Sequence, residues 1–526
     1  MVPTVATVAG SVSGFTEANG TICFRGVPYG APTGGSNRFL PPKPVAPWTG
    51  VRECIEWGER CKQGVMQLGR ISGTGEGGGT GDSAPARERM RALIETTGGG
   101  DVGPMGDDCL NLNVWTPSLD DGKRPVMVWF HGGGFANGSA NNPMYFGDHL
   151  ARRGDVVVVT VNHRLGVLGY LHLDDVGGEA FAGSGTAGVL DLVQALEWVR
   201  DNIASFGGDP NNVMIFGQSG GGAKVSTVLA MPRAQGLVHR AAIQSGPGLR
   251  SVTAEQGDAV ARALLAEVAV PLTDVARIQD VPVRVLAAAQ AAALRAARAT
   301  GMGLAPVIDG TTLPTHPFDP APSPTQRDVP VLVGCTPDEF TFFQAFDPRF
   351  GTLTLEEVRP RLEASWGERT DDRIALLEKI RPYANPSFLL AWAASMSFFT
   401  GSFAIAERKA AAGGAPAYAY LLSWKSPILG GILGAPHNLC IPLAFDNADR
   451  APYLGDGPDA TTIVDDFCDA WIAFARTGDP NHAGLPDWRP YDAAERWSMV
   501  FDRPSRAERD PEGALRTAFA ADPVGI

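Results

Sequence analysis

The chain has 526 residues, of which 44% are hydrophobic and 19% charged, a composition typical of a soluble protein with a large core. The formal net charge of -13 argues against binding to nucleic acid or docking on an anionic membrane. None of the 7 cysteines forms a CxxC pair, so a structural zinc site is not expected.

The N-terminal residues MVPTVATVAGSVSG lack the basic and long apolar regions of a secretory signal. We therefore expect a cytoplasmic protein, or a secreted one if a signal has been removed. Apolar runs such as Val156 to Val159 are far shorter than the roughly 20 residues that span a bilayer. Residues 64–106 are rich in glycine around a short helical pattern from Ala86 to Ile94, which predicts a surface insertion.

Short β-branched runs alternate with helical patterns along the rest of the chain. The predicted strands are Val126 to Phe130, Val156 to Val161, Val213 to Phe216, Ala241 to Ile243, Val329 to Val333 and Ala417 to Trp424. A helix is predicted from Asp191 to Phe206, where apolar residues share one face before Gly207. This alternation predicts an α/β fold with a mostly parallel sheet flanked by helices.

The first chemical motif follows the strand that ends at Phe130, where the chain continues as His131-Gly132-Gly133-Gly134. Three successive glycines let backbone N–H groups point at one spot with no side chain in the way. The HGGG sequence is a known oxyanion-hole motif of esterases and lipases.

The stretch IFGQSGGGAKVS, residues 215–226, has two interpretations. A P-loop needs Lys directly after its last Gly and then a hydroxyl, whereas Ala223 precedes Lys224 and Val225 follows it. A dinucleotide fingerprint fails because Ser219 holds the place of its second glycine. The G-x-S-x-G pattern between a strand and a helix predicts instead a nucleophile elbow that presents Ser219.

A serine nucleophile needs a base and an acid, which on such sheets follow in the order Ser, acid, His. Among the histidines after Ser219, His437 in GAPHNLCIP follows the late strand, where a base carried by a loop is expected. The strand VPVLVGC is followed by two carboxylates, Asp338 and Glu339. Either could be the acid, and either could be a helix N-cap.

With HGGG, G-x-S-x-G and segments such as FRGVPYGAP, GDDCLNLNVWTP and FARTGDPN in order, the chain resembles the type-B carboxylesterases, in particular bacterial para-nitrobenzyl esterases. The resemblance implies one α/β-hydrolase domain over 1–526, and it favours Glu339 over Asp338. The roles it implies are nucleophile Ser219, acid Glu339, base His437 and oxyanion N–H donors Gly133, Gly134 and Gly220. It also implies a disulfide between Cys61 and Cys109.

The chain departs from this family at two positions beside the nucleophile. Many members carry Glu where Gln218 stands and Ala where Gly220 stands. Replacing Glu by Gln218 removes a charge near His437, so less stabilisation of the imidazolium is expected.

The resulting hypothesis is a serine carboxylesterase that hydrolyses small-molecule esters through an acyl-enzyme, without cofactor or metal. Phe135, and the cluster of Phe340, Phe342 and Phe343, are candidates for an acyl pocket, although core packing is the favoured role for most of them. One alternative applies the same machinery to aryl carbamates or amides. Another is a binding protein on this fold that has lost catalysis.

Overall fold

β-branched and aromatic runs form the strands of one 11-stranded sheet. The computed structural model describes residues 2–64, 84–298, 303–382, 385–455 and 457–520. In chain order the strands of this sheet are β1 (Phe15–Thr16), β2 (Ile22–Pro28), β3 (Asn111–Thr116), β4 (Arg124–Phe130), β5 (Val157–Val161), β6 (Gly208–Gln218), β7 (Arg240–Gln244), β8 (Val331–Cys335), β9 (Ala417–Leu422), β10 (Trp497–Phe501) and β11 (Arg506–Arg509).

The strand order in the sheet is β11-β10-β9-β8-β7-β6-β4-β5-β3-β2-β1. Strands β4 to β10 run parallel to one another. Antiparallel strands extend both edges, β11 on one side and β3, β2 and β1 on the other. The predicted mostly parallel sheet is confirmed, and each predicted strand overlaps one of these and extends beyond it by at most two residues. Three small sheets lie outside it in the described part of the chain. One has the three strands Thr4–Thr7, Gly10–Ser13 and Val51–Glu53. The other two pair Val252–Thr253 with Val307–Ile308, and Arg60–Cys61 with Met105–Gly106.

Helices cover both faces of the sheet. They are α1 (Ala84–Glu95), α2 (Asp148–Gly154), α3 (Gly166–Tyr170), α4 (Asp174–Gly177), α5 (Ala187–Asn202), α6 (Gly220–Leu229), α7 (Ala254–Glu267), α8 (Val283–Ala296), α9 (Thr341–Gln344), α10 (Leu355–Trp366), α11 (Thr370–Ile380), α12 (Ser387–Ala412), α13 (Cys440–Phe445), α14 (Pro458–Thr477) and α15 (Gly513–Phe519). Helix α5 starts four residues before the predicted Asp191 and continues as a 3-10 turn to Phe206. It is followed by Gly207 in a left-handed conformation (φ 82°).

Alternation along the strands divides the core into two layers. In β4, the side chains of Val126, Val128 and Phe130 pack into one hydrophobic cluster, and those of Met127 and Trp129 pack into the other. Helices α5, α6 and α7 contribute to the first cluster, and α2, α13 and α14 to the second. Both faces of the central strands are therefore buried, as parallel sheets require.

Helix α12 is long and apolar enough to cross a membrane by length and composition alone. However, 61% of its most apolar window is buried inside the fold, where it packs against β8 and β9. This is the pattern of a core helix and does not show a membrane span.

Of the predicted surface insertion at 64–106, residues 65–83 lie outside the described residues. The part that is described includes α1 and packs onto the protein, because Leu93 and Thr96 are fully buried. The surface insertion itself stays a prediction.

Candidate active site

Ser219 lies in the turn between β6 and α6, at the carboxyl edge of the parallel strands. Its φ of 59° and ψ of −128° are unusual for a residue with a side chain, and such a conformation costs about 1–3 kcal/mol. The turn is tight: a Cβ on Gly217 would lie 2.5 Å from Gly221 C, and one on Gly221 would lie 2.0 Å from Phe130 O. Glycines are therefore required on both sides of the serine, as the elbow motif predicts.

The HGGG segment follows β4 and folds beside this turn. Gly133 and Gly134 have φ values of 85° and 64°, which favour glycine. The carbonyl of Gly133 accepts hydrogen bonds from the N–H groups of Ala136 (3.3 Å) and Asn137 (3.0 Å). Among the described residues, no acceptor takes the N–H of Gly133, Gly134 or Gly220. These three glycines line the same cavity as Ser219, so three backbone donors are free near it.

His437 follows β9 and is held by the loop after β8. Its Nδ1 is hydrogen-bonded to Glu339 Oε2, and both side chains are almost completely buried. Glu339 Oε1 accepts from the Thr336 N–H at 2.8 Å. Because Nδ1–H donates to the carboxylate, Nε2 is the basic nitrogen of the ring. Nε2 is buried and has no partner in the described structure, and His437 lines the cavity with Ser219.

Asp338 is used differently from its neighbour Glu339. Its Oδ1 accepts from Trp392 Nε1 at 2.6 Å, and its Oδ2 accepts from the Ala435 N–H at 2.8 Å. Burial raises the pKa of this carboxyl group above its usual range. Both oxygens therefore tie α12 and the loop that carries His437 to the end of β8. Glu339, and not Asp338, contacts the imidazole.

Gln218 also supports His437. Its Nε2 donates to the backbone carbonyl of His437 at 2.8 Å. A glutamate carboxylate could not donate this bond, so Gln218 replaces a charge by a direct contact that fixes the loop. The sequence suggested only the loss of a charge.

The cavity at this edge has a volume of about 930 Å³ and a largely apolar lining. Its aromatic and aliphatic wall includes Phe135, Phe340, Phe343, Phe398, Leu304 and Ile441. The rings of Phe343 and Phe398 lie 5.2 Å and 5.1 Å from the imidazole of His437. Phe135 packs edge-to-face on Tyr170 (5.1 Å) and is mostly buried, so it is a core residue that also lines the cavity.

Residues 1–515 match the family model described as the carboxylesterase family. The chain is 34% identical to phenmedipham hydrolase of Pseudarthrobacter oxydans and 31% identical to para-nitrobenzyl esterase of Bacillus subtilis, with 97% of each chain covered in both comparisons. The carboxylesterase EST55 of Geobacillus stearothermophilus has a similar structure (TM-score 0.79, 34% identity, 98% and 99% covered).

The chain belongs to the carboxylesterase family. It has the α/β-hydrolase fold of its structural relatives and is a carboxylic-ester hydrolase. The resemblance inferred from its motifs is confirmed. The single domain over 1–526 stays a prediction.

Gly220 distinguishes the nucleophile turn of this carboxylesterase. A Cβ added to Gly220 would lie 2.2 Å from Gly134 O and 2.4 Å from Gly134 Cα. We expect Gly220→Ala to push the oxyanion segment away and to lower kcat by roughly 10- to 100-fold, because small displacements of donors are costly. Steady-state hydrolysis of p-nitrophenyl butyrate measures this effect. Gly457→Ala, at a position with open space around it, is the control; unchanged kcat in Gly220→Ala would contradict the prediction.

Cys61 and Cys109 of this carboxylesterase are both buried, and their thiols are close enough to interact. That interaction and burial raise the pKa of the Cys109 thiol. The structure has both as free thiols, so the disulfide is not formed in it. The pair is close together, and its oxidation remains a prediction.

Three sets of contacts in this site were not identified from the sequence: the Gln218 bond to His437, the two bonds of Asp338, and the Phe398 ring beside His437. All three join segments far apart in the chain, which local patterns do not report. The other three histidines after Ser219 contact backbone groups: His239 that of Val213, His316 that of Ser251 and His482 that of Asp466.

Proposed function

We propose that this carboxylesterase hydrolyses esters through Ser219, His437 and Glu339, by way of an acyl-enzyme. One observation carries the proposal. His437 is held at Nδ1 by Glu339, and its free Nε2 belongs to the same cavity as Ser219 and three unpaired glycine N–H groups. Ser219 and His437 form no hydrogen bond here, and catalytic hydrogen bonds without substrate are often long.

In the first step Ser219 Oγ attacks the ester carbonyl carbon while His437 Nε2 takes the hydroxyl proton. The carbonyl oxygen becomes an oxyanion, held by the N–H groups of Gly133, Gly134 and Gly220. One such donor contributes about 2.7–4 kcal/mol to transition-state stabilisation. Collapse of the intermediate breaks the bond to the alcohol oxygen, which receives the proton from His437.

In the second step a water replaces the alcohol. His437 Nε2 takes a proton from the water as its oxygen attacks the acyl carbon, and the same donors hold the second oxyanion. Collapse breaks the bond to Ser219 Oγ, which recovers its proton, and the carboxylic acid leaves. Glu339 keeps the hydrogen on Nδ1 and stabilises the imidazolium in both steps.

A second candidate substrate is an aryl carbamate. Phenmedipham hydrolase, which is 34% identical over 97% of this chain, supports it. The aromatic side chains in the cavity wall, including Phe343 and Phe398, offer stacking surfaces to an aryl group. The same Ser219 attack would release the alcohol and leave a carbamoyl-enzyme, which hydrolyses as above.

The test combines labelling with a substrate comparison. A fluorophosphonate should label Ser219 with one phosphonyl group per chain, located by peptide mass, and should abolish ester turnover in proportion. The values of kcat/KM for p-nitrophenyl butyrate and an O-phenyl N-arylcarbamate, measured on the same titrated sites, then rank the two substrates. Absence of labelling together with absence of turnover would refute the proposal and support a binding protein.

A further inference from the structure

A buried lysine lies behind the HGGG segment and has no part in the steps above. Lys224 is in the first turns of α6 and is completely buried. Its Nζ donates to the backbone carbonyl of His131 at 2.9 Å. Burial lowers the pKa of this amine to about 7, and no carboxylate in the described part of the chain offsets the burial. A buried amine without a counter-ion costs folding free energy, so packing does not account for lysine at this position.

The side chain of His131 forms a second hydrogen bond to the backbone of the HGGG segment. Its Nδ1 lies 2.9 Å from the carbonyl oxygen of Gly132. Because a carbonyl oxygen only accepts, Nδ1 carries the hydrogen. The Gly132 carbonyl belongs to the same peptide plane as the Gly133 N–H. Fixing that carbonyl therefore fixes the direction of the Gly133 N–H, one of the proposed oxyanion donors.

The side chains around Lys224 and His131 are apolar or neutral. His163 stacks on His131, with ring centroids 4.5 Å apart, and the ring of Phe135 lies 5.8 Å from Lys224 Nζ. Burial first, and then the charge of Lys224, hold the pKa of both imidazoles well below the usual range. Because both rings stay neutral, Lys224 is the group of the three that can carry a positive charge, at a site where its field is weakly screened.

We propose that Lys224 and His131 are positioning residues that orient the Gly132–Gly133 peptide of the oxyanion hole. Lys224 holds the His131 carbonyl from behind, and the His131 imidazole holds the Gly132 carbonyl. The two bonds preorganise the Gly133 N–H toward the developing oxyanion, so no reorganisation is needed during reaction. The inference rests on the proposed function, because it takes Gly133 as an oxyanion donor.

The first experiment replaces each of two buried lysines by methionine and compares kcat and KM of the variants Lys224→Met and Lys409→Met. Lys409 is the matched control: its Nζ is buried and donates to the carbonyls of Gln326 (2.7 Å) and Arg327 (2.6 Å), and it does not line the catalytic cavity. With active sites titrated by the fluorophosphonate, we expect Lys224→Met to lower kcat about 10- to 100-fold while KM stays within about threefold. Lys409→Met should keep kcat. Lys224→Gln is measured alongside, so the result does not depend on one variant folding.

A second readout isolates the oxyanion. When a trifluoromethyl ketone binds, Ser219 Oγ forms a bond to its carbonyl carbon and the serine proton moves to His437. The ketone oxygen becomes an anion in the oxyanion hole. Its inhibition constant should rise in Lys224→Met by the same factor by which kcat/KM falls. His131→Asn, whose amide nitrogen sits where Nδ1 does, should retain more kcat than His131→Leu.

The outcomes separate the two proposals. A wild-type protein that neither turns over esters nor labels at Ser219 refutes the proposed function. A wild-type protein that does both, with Lys224 variants of unchanged kcat or unchanged ketone inhibition, overturns this inference alone. An equal loss of kcat in Lys409→Met would also overturn it, because the effect would then be that of any buried lysine.

Discussion

Ser219→Ala is expected to lower kcat for p-nitrophenyl butyrate by roughly 10⁴-fold or more, since it removes the nucleophile proposed to form the acyl-enzyme. The structure gives the physical reason. Ser219 has the strained conformation of an elbow, and its hydroxyl shares a cavity with His437 Nε2 and three free N–H groups. The residual rate should reflect the oxyanion donors and substrate binding alone. Steady-state hydrolysis measures the fall in kcat, and the pre-steady-state burst of p-nitrophenol reports formation of the acyl-enzyme.

Ser226→Ala is the matched control for this prediction. Ser226 is buried in the same helix, α6, and its Oγ bonds only the backbone carbonyl of Gly222 (3.1 Å). Its removal should change kcat little and leave the burst intact. Equal burst amplitudes in Ser219→Ala and wild type would mean that another residue is acylated.

Glu339→Gln is the second large effect, with an expected loss of kcat of about 10⁴-fold. An amide at this position can donate its N–H to Nδ1 and so favour the tautomer with hydrogen on Nε2, which cannot accept the serine proton. It also removes the negative charge that stabilises the imidazolium. KM should change much less than kcat, because the interaction matters chiefly in the transition state.

Asp338→Asn serves as the comparison, because it alters the adjacent carboxylate that the sequence left as an alternative. An asparagine keeps the size and one acceptor, so it can still hold either Trp392 or Ala435. We expect lower thermal stability and a loss of kcat far smaller than that of Glu339→Gln. The reverse ranking of the two variants would assign the acid to Asp338.

Local patterns predicted much of the sheet. The strands β4 to β9 were predicted because their residues are apolar, β-branched and bounded by turns, which are properties of short stretches. The antiparallel strands β1, β2 and β3 and the helix α12 were not predicted. Strand β1 has only two residues and carries little pattern, and helix α12, which is apolar on most sides, has no periodic face.

Within the site, the sequence by itself determined the nucleophile turn, the HGGG segment and the candidate base, because each depends on neighbouring residues. Only the tertiary structure showed that Glu339, and not Asp338, contacts His437, since both follow β8 and differ in which distant group each contacts. It alone brought Gln218 to the His437 carbonyl and Lys224 behind the oxyanion segment. These contacts join residues 93 to 219 positions apart. Packing of the sheet and its helices brings such groups together, and no local pattern records it.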